Sequence, residues 1–326
     1  MKSSLFWVFI VASLTISYLA SRLIGNEYYF FAFFSILQLA ALSTAWNIMG
    51  GFCGYINFGT PGFLALGAYT GMIIGQFGGL PLPVQILGAA VVSGLLGLFT
   101  GYMTLRLKGI FFAIATLAIS VILETVVNNL DFVGGARGMV VYRPDSVAFF
   151  SNYNRFLFFV MACIVVIGVV IARYVQVSWI GRGLRAIRDN EEAAEGLGVP
   201  TLNLKLLAAG VSGALMGAAG APSPLFMSFI EPSSLFNMNF AVLAMAMPLV
   251  GGTSHWAGPI IGALILGVLQ QTISVTISSE VNVLLIGVVL VLTVILAPRG
   301  LLGFFPSRPE RHQIDKERSV GPVPTQ

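Results

Sequence analysis

Residues 181–200 read GRGLRAIRDNEEAAEGLGVP and form the one long charged passage inside an otherwise apolar chain. Arg182, Arg185 and Arg188 are spaced three apart, which places them on one flank of a short helix. Acidic side chains follow them directly, at Asp189, Glu191, Glu192 and Glu195. This pattern predicts a docking surface for another protein. The alternative is an ordinary helical loop on the cytoplasmic side, because charge runs are usually solvated surface.

The same stretch predicts two short helices in place of one long helix. Asp189 and Glu192 have the spacing of a capping box, which would restart the helix as residues 190–197. Gly198 and Pro200 then end it. An apolar face among the charges is predicted from Ala186, Ile187, Ala193, Ala194 and Leu197.

The rest of the composition defines the environment of this charged segment. Of the 326 residues, 57% are hydrophobic and only 9% are charged, whereas a soluble globular protein carries about 25% charged residues. The apolar runs are about 20 residues long and lack the alternation of a membrane barrel, so the spans are helices. The sequence therefore predicts an all-α polytopic protein whose main surroundings are the lipid bilayer.

Ten membrane-spanning helices are predicted within a permease domain at 1–303, followed by a polar tail at 304–326. The predicted spans are 5–23, 28–49, 63–77, 83–105, 110–130, 156–177, 204–221, 235–250, 260–277 and 281–297. The third is short for a full crossing, and a re-entrant segment is its alternative. Cytoplasmic termini place Lys2, Arg106, Lys108, the charged stretch and the tail on one side, with Arg137 as the exception.

Residues 50–62, GGFCGYINFGTPG, interrupt the helical pattern, because glycines and a proline crowd around three polar side chains. We predict that Tyr55, Asn57 and Thr60 belong to the substrate path. A helix that restarts at Thr60 or Pro61 would direct unpaired N–H groups and a positive dipole end at a substrate carboxylate. A tight turn between two helices is the alternative.

Two polar residues of the fifth span, Glu124 and Asn128, are further candidates for the path. A carboxylate in the middle of a bilayer costs about 3 kcal/mol or more, so an ionised Glu124 has to face protein or water. The alternative places it near the outer headgroups or in a hydrogen bond to a neighbour.

Glycines recur every four residues at Gly67, Gly71, Gly75 and Gly79. This spacing predicts a bare ridge on one helix face, which a neighbouring backbone can approach closely.

Signals of catalysis or cofactor binding are not found in the sequence. It contains no G-x-x-x-x-G-K-[ST] phosphate loop and no H-E-x-x-H motif. Cys53 and Cys163 lie in or beside separate apolar runs, which does not indicate a metal site or a disulfide framework. The basic residues that give a net charge of +4 are spread over loops and tail, so nucleic acid is not an expected partner. We expect neither an enzyme nor a metal protein.

Five blocks in order carry a family resemblance: NIMGGFCGYINFGTPGFLALGAYTG, RLKGIFFAIATLA, GRGLRAIRDNEEAAEGLGV, GGTSHWAGPIIGA and APRGLLG. Together they resemble the membrane subunits of ATP-binding-cassette importers for branched-chain amino acids, and in particular the longer, M-type permease subunit. The resemblance runs from about residue 38 to residue 303 and implies a type-II-like importer permease fold.

The resemblance implies a bacterial inner-membrane complex with a second permease, two cytoplasmic ATPase subunits that bind ATP and Mg²⁺, and an extracytoplasmic solute-binding protein. It implies that residues 181–198 contact the ATPase, with the loops at 135 and 222–234 facing the solute-binding protein. The expected ATPase contacts are Arg182, Arg185, Arg188, Asp189, Glu191 and Glu192. Members of the family also carry urea, short amides and aromatic acids. A self-sufficient ion-coupled transporter, suggested by Glu124 and the broken segment, is the other hypothesis.

Overall fold

A computed structural model describes residues 3–23, 27–104, 109–143, 150, 152–276, 287–292, 295 and 300–304. The helices named here are α1 (Ser3–Leu23), α2 (Glu27–Asn47), α3 (Thr60–Met72), α4 (Leu82–Thr104), α5 (Ile110–Asn128), α6 (Tyr153–Val177), α7 (Trp179–Asp189), α8 (Glu191–Gly196), α9 (Thr201–Gly220), α10 (Ser223–Met227), α11 (Pro232–Leu235), α12 (Asn239–Gly251) and α13 (Gly258–Thr276). Residues 287–292 are also helical.

Short irregular elements connect these helices. The helix α2 continues as a π-helical turn, Ile48–Phe52, and α3 continues as another, Ile73–Phe77. Single 3₁₀ turns lie at Asp131–Val133, Gly135–Arg137 and Leu301–Phe304. The strands β1 (Met139–Val140) and β2 (Phe229–Ile230) pair antiparallel, with Met139 opposite Ile230.

The described residues confirm a polytopic helical membrane protein. Six helical stretches are long and apolar enough to cross a membrane: Glu27–Phe52, Leu82–Met103, Ile110–Asn128, Tyr153–Val177, Thr201–Met227 and Pro232–Gly251. Two shorter apolar helices, Phe6–Arg22 and Gly258–Ile273, accompany them. The predicted tenth span lies mostly outside the described residues, as do Lys2, Arg106, Lys108 and residues 305–326.

One end of the bundle, which we call the charged end, gathers α7, α8 and the chain around residues 51–55 and 253–256. Gln176, near the end of α6, accepts a hydrogen bond from Trp256 N at 2.9 Å. The ring of Phe6, near the start of α1, meets the ring of Trp256 edge to face at 5.2 Å. Gly300 packs against the backbone of Gly252. The described chain therefore begins and ends at the same side of the bundle.

The opposite end, which we call the hairpin end, is held by the β1–β2 pair. The guanidinium of Arg143 donates to Asn154 Oδ1 at 2.7 Å and to the carbonyl of Leu225 at 3.1 Å. The rings of Phe77 and Phe132 stack with centroids 4.4 Å apart. The loops around 135 and 222–234 are thus joined at one end, because β1 follows the first loop and β2 belongs to the second.

The predicted glycine ridge forms a close contact between α3 and its neighbours. A Cβ at Gly67 would lie 2.5 Å from Gly217 Cα in α9, and one at Gly71 would lie 3.2 Å from Ala221 Cα. Gly75 faces the side chain of Gln85. The prediction is wrong for Gly79, which follows the π turn with a φ of +64° and has no atom within 4 Å of an added Cβ.

Candidate coupling surface and transport path

The charged segment folds into two amphipathic helices, which confirms the predicted division. Leu184, Ile187 and Ala194 are buried and anchor α7 and α8 on the bundle. Gly198 adopts a φ of +82° just past α8, in the left-handed region that favours glycine at a helix end. The opposite face of the two helices is exposed and carries Arg182, Asp189, Glu192 and Glu195.

Two details of the predicted segment are wrong. The cap of α8 is Asn190, whose Oδ1 accepts the N–H of Ala193 at 3.0 Å, and not Asp189 paired with Glu192. Asn190 has the extended φ of −162° that a capping residue adopts, whereas Asp189 is still the last residue of α7. Leu197 does not join the apolar face and is 85% exposed. The turn that ends α8 directs it away from the bundle.

The three arginines of α7 donate to backbone carbonyls of their own chain. Arg185 Nη1 reaches the carbonyl of Gln176 at 3.2 Å, and Arg182 Nη1 reaches that of Val177 at 3.5 Å. Both acceptors belong to the last turn of α6, where unpaired carbonyls and the helix dipole favour a cation. Arg188 Nη1 donates to the carbonyl of Gly51 at 2.9 Å.

A buried polar cluster joins α8 to two other parts of the chain. Lys205 Nζ lies 2.5 Å from Glu191 Oε1, and the side chain of Lys205 is only 4% exposed. The hydroxyl of Tyr55 donates to Glu191 Oε2. The ammonium of Lys205 also lies 5.2 Å from the centre of the Tyr55 ring, while Phe112 meets that ring edge to face at 5.1 Å.

Residues 53–59 form no helix and run along the first turns of α5. The carbonyl of Asn57 accepts from Trp46 Nε1 at 2.8 Å, and its Oδ1 accepts from Gly59 N at 2.7 Å. Phe58 N donates to Thr116 Oγ1 at 3.1 Å. Thr116 is six residues into α5, or about 9 Å along the helix axis. The helix α3 therefore starts inside the bundle, as the broken-helix prediction requires.

The start of α3 offers donors that could hold a carboxylate. Its first N–H groups are those of Thr60 and Gly62, because Pro61 has none. Thr60 is fully buried, and its hydroxyl has no hydrogen-bond partner among the described residues. Buried polar groups are normally paired, so an unpaired hydroxyl at a positive helix end suits a transient anionic ligand.

The candidate path residues fall into three separate places. Thr60 and Asn57 lie together at the start of α3, while Tyr55 turns toward Glu191 at the charged end. Glu124 lies eight residues beyond Thr116 on α5, about 12 Å farther along the axis. Glu124 and Asn128 are both half-buried, and neither side chain has a hydrogen bond to another described residue. The fold therefore does not bring Glu124 to the helix start.

Sequence reasoning missed Lys205, which lies within the predicted span 204–221. A lysine inside an apolar helix was the available signal, because such a charge is costly unless a partner is near. Within the described ranges, no group of three or more His, Cys, Asp or Glu side chains could hold a metal ion.

A bundle of apolar helices with an anchored, charged helix pair at one end is the architecture of a polytopic helical membrane protein. A profile of the family described as branched-chain amino acid transport system, permease component, matches residues 28–294. The chain belongs to this family.

The individual relatives are distant in sequence, and their descriptions agree with the family match. The chain is 27% identical over 282 residues to the high-affinity branched-chain amino acid transport system permease protein LivM of Salmonella typhimurium, and equally similar to LivM of Escherichia coli. Each match covers 78% of this chain and 65% of the relative, so the chain spans just under two thirds of these relatives. A probable branched-chain amino acid transport permease protein LivH of Methanocaldococcus jannaschii is 28% identical over 271 residues, covering 76% of this chain and 82% of that protein. No solved structure gives a significant match.

Proposed function

We propose that the chain is a permease subunit of an ATP-driven importer for branched-chain amino acids in a bacterial cytoplasmic membrane. It would form the transport path with a second permease subunit and receive its driving force from two cytoplasmic ATPase subunits. The family match over residues 28–294 carries the proposal. In this arrangement the charged end faces the cytoplasm, ten helices cross the membrane in a type-II-like importer fold, and ATP and Mg²⁺ bind to the partners.

The exposed face of α7 and α8 supports ATPase docking at the charged end. The opposite face of the helix pair is buried through Leu184, Ile187 and Ala194. The two helices are therefore held rigidly against the bundle while their charged face is available to a partner protein. Leu197 projects from the same surface with 85% of its area exposed. An exposed apolar side chain among charges suits a pocket of the partner, because a few contacts in well-packed pockets dominate interface energies.

The hairpin end supports docking of a capture protein that delivers the amino acid. The two loops that the resemblance assigns to this contact are joined there by β1 and β2. A cavity of about 690 Å³ opens beside them between the 72–85 segment, Met139, Tyr153 and Phe156. Its apolar lining suits passage of hydrophobic side chains, and the donors at Thr60 suit the carboxylate farther along the path.

The docking assignment is tested by an exposed substitution that leaves the fold intact. Leu197→Ser is expected to weaken binding of the purified ATPase subunit by roughly tenfold, which corresponds to about 1.4 kcal/mol. Tyr142→Ser is the matched control, because Tyr142 is 83% exposed at the hairpin end. Binding would be measured with the permease pair in nanodiscs by surface plasmon resonance. Equal affinities for both variants would contradict docking at the charged end.

The transport assignment is tested by uptake into proteoliposomes with the second permease, the ATPase subunits and the capture protein. We expect uptake of leucine, isoleucine and valine that requires ATP. Uptake of urea, amides or aromatic acids in their place would change the substrate and keep the mechanism. Uptake by this chain alone, driven by an ion gradient, would identify an ion-coupled transporter and overturn the proposal.

A further inference from the structure

The cluster of Tyr55, Glu191 and Lys205 joins three parts of the chain that are separate in sequence. Glu191 is the first residue of α8, Tyr55 belongs to the non-helical residues 53–59, and Lys205 lies in the second turn of α9. Both oxygens of the carboxylate are used: Oε1 by Lys205 at 2.5 Å and Oε2 by the Tyr55 hydroxyl. The Glu191 side chain is only 18% exposed, so it faces inward.

A second contact fixes the same two segments to each other. Arg188, three residues before Glu191, donates to the carbonyl of Gly51 and lies against Gly54. A Cβ at Gly54 would come within 2.6 Å of Arg188 Cγ, and Gly54 has a φ of +83° that favours glycine. The junction of α7 and α8 therefore holds the chain on both sides of residue 53.

Stability alone does not explain this arrangement. A buried ion pair loses solvation that its attraction only partly returns, and well-packed apolar residues in its place are often at least as stable. Buried charges of this type are best attested where they fix one specific pairing. Here the pairing is between a helix on the exposed surface and the segment that leads to the start of α3.

The path from the cluster to the proposed substrate site is short. Tyr55 is two residues before Asn57, whose backbone and side chain are both hydrogen-bonded next to the start of α3. Residues 53–58 are not helical, and the segment is joined to the neighbouring helices by a bond from Tyr55 N to the carbonyl of Met49 and by one from Phe63 N to the carbonyl of Gly59. It therefore lacks the regular series of backbone bonds that stiffens a helix. A displacement of α8 that carries Glu191 will therefore move Tyr55 and reach Thr60 within five residues.

We propose that Tyr55, Glu191 and Lys205 form a coupling joint that transmits movement of α7 and α8 to the broken segment before α3. These are positioning residues. Glu191 acts inside the permease and is not one of the side chains that contact the ATPase. This inference rests on the proposed function, since it concerns how an ATPase drives that same path.

The sharpest test removes one hydroxyl. Tyr55→Phe keeps the ring between Lys205 and Phe112 and deletes the bond that the hydroxyl donates to Glu191, together with the long 3.5 Å bond that it accepts from Lys205 Nζ. Tyr69→Phe is the matched control, because Tyr69 is also buried and its hydroxyl has no hydrogen-bond partner among the described residues. The complete transporter would be reconstituted in proteoliposomes, and amino acid uptake and ATP hydrolysis measured on the same sample.

For Tyr55→Phe we expect normal assembly, normal ATPase binding and about tenfold less amino acid transported per ATP hydrolysed, within the usual range of coupling between sites. Tyr69→Phe should keep the wild-type ratio. The double variant Glu191→Met/Lys205→Met removes both charges and the acceptor of the Tyr55 hydroxyl, leaves no unpaired buried charge, and should lower the ratio in the same way. If Tyr55→Phe does not fold, the double variant provides the test of the coupling joint in its place.

The outcomes separate the joint from the function on which it rests. Wild-type ratios in Tyr55→Phe, or in the double variant, would overturn the joint and leave the importer assignment standing. Loss of ATPase binding in the double variant would assign Glu191 to the contact with the ATPase and would also overturn the coupling joint. Failure of the wild-type complex to show ATP-dependent uptake would overturn both.

Discussion

Gly67→Ala tests how closely α3 and α9 are packed. An alanine Cβ at this position would lie 2.5 Å from Gly217 Cα and nearer still to its carbonyl oxygen. Ordinary carbon contacts are about 3.5–4.0 Å, so the two backbones have to separate by about 1 Å. Backbone atoms in the middle of a helix cannot rotate aside as a side chain can. The separation would also loosen the neighbouring contact of Gly71 with Ala221.

Two opposing terms set the size of the effect. Overpacking of a close contact costs about 1–3 kcal/mol, whereas alanine is preferred to glycine inside a helix by roughly 0.5–1 kcal/mol. Gly67→Ala should therefore be destabilising by about 1–2 kcal/mol, which lowers the unfolding temperature of a chain of this size by a few degrees. Thermal unfolding of the purified chain in detergent measures this shift.

Gly196→Ala is the matched control for that experiment. The chemical change is identical, but no atom lies within 4 Å of an added Cβ at Gly196. Its unfolding temperature should be unchanged or slightly raised. Equal unfolding temperatures for Gly67→Ala and Gly196→Ala would refute the close contact between α3 and α9.

Three further predictions concern single polar groups. Asn190→Ala should lower the stability of α8 by about 1 kcal/mol and speed hydrogen exchange of its amides, because it removes the N-cap. Asp189→Ala should leave that exchange unchanged. Asn47→Leu keeps the branched shape of the side chain and removes two buried polar atoms that lack partners among the described residues. The unfolding temperature should therefore stay equal or rise. A fall of several degrees would reveal a hydrogen bond of Asn47 in the native protein. Burial, together with the positive charge of Arg173, lowers the pKa of His255 below its ordinary 6.5. The unfolded chain then binds the proton more readily, so stability should fall as the pH drops from 6.5 toward the folded pKa. His255→Gln should flatten that dependence in unfolding scans at different pH.

The spans could be predicted because an apolar run of about 20 residues has few alternatives in a membrane. The predicted spans 28–49, 110–130 and 156–177 correspond to α2, α5 and α6 within a few residues at either end. The span predicted at 235–250 lies within the candidate span Pro232–Gly251, which consists of α11, ending at Leu235, and α12, starting at Asn239. Proline at 232 starts a short helix of its own, which the apolar pattern alone does not separate from the next one.

The candidate site was only partly predictable, because its decisive contacts join distant parts of the chain. Charge spacing predicted the helix pair α7 and α8 but could not say which charges face inward. Glu191 and Glu192 are adjacent and chemically identical, yet the first is 18% exposed at its side chain and the second lies on the exposed face. The start of α9 decides between them by placing Lys205 beside one carboxylate. The position of Lys205, which is 14 residues farther along the chain than Glu191, depends on how α9 packs in the bundle.

Glu191 is therefore held between two elements of unequal stiffness. The helix α9, which supplies Lys205, is largely buried and is fixed by close contacts along its length, including Gly217 against Gly67 and Ser212 Oγ bonded to Ala45 at 2.8 Å. Residues 53–58, which supply Tyr55, are not helical. They are held by the backbone bond from Tyr55 N to the carbonyl of Met49 and by bonds that involve the side chains of Trp46, Asn57 and Thr116. When Glu191 is displaced, the more flexible of the two elements bonded to it moves farther. A force on α8 will therefore displace the segment before Thr60 and leave α9 in place, which is why the Tyr55 hydroxyl, and not the Lys205 charge alone, decides whether the movement reaches α3.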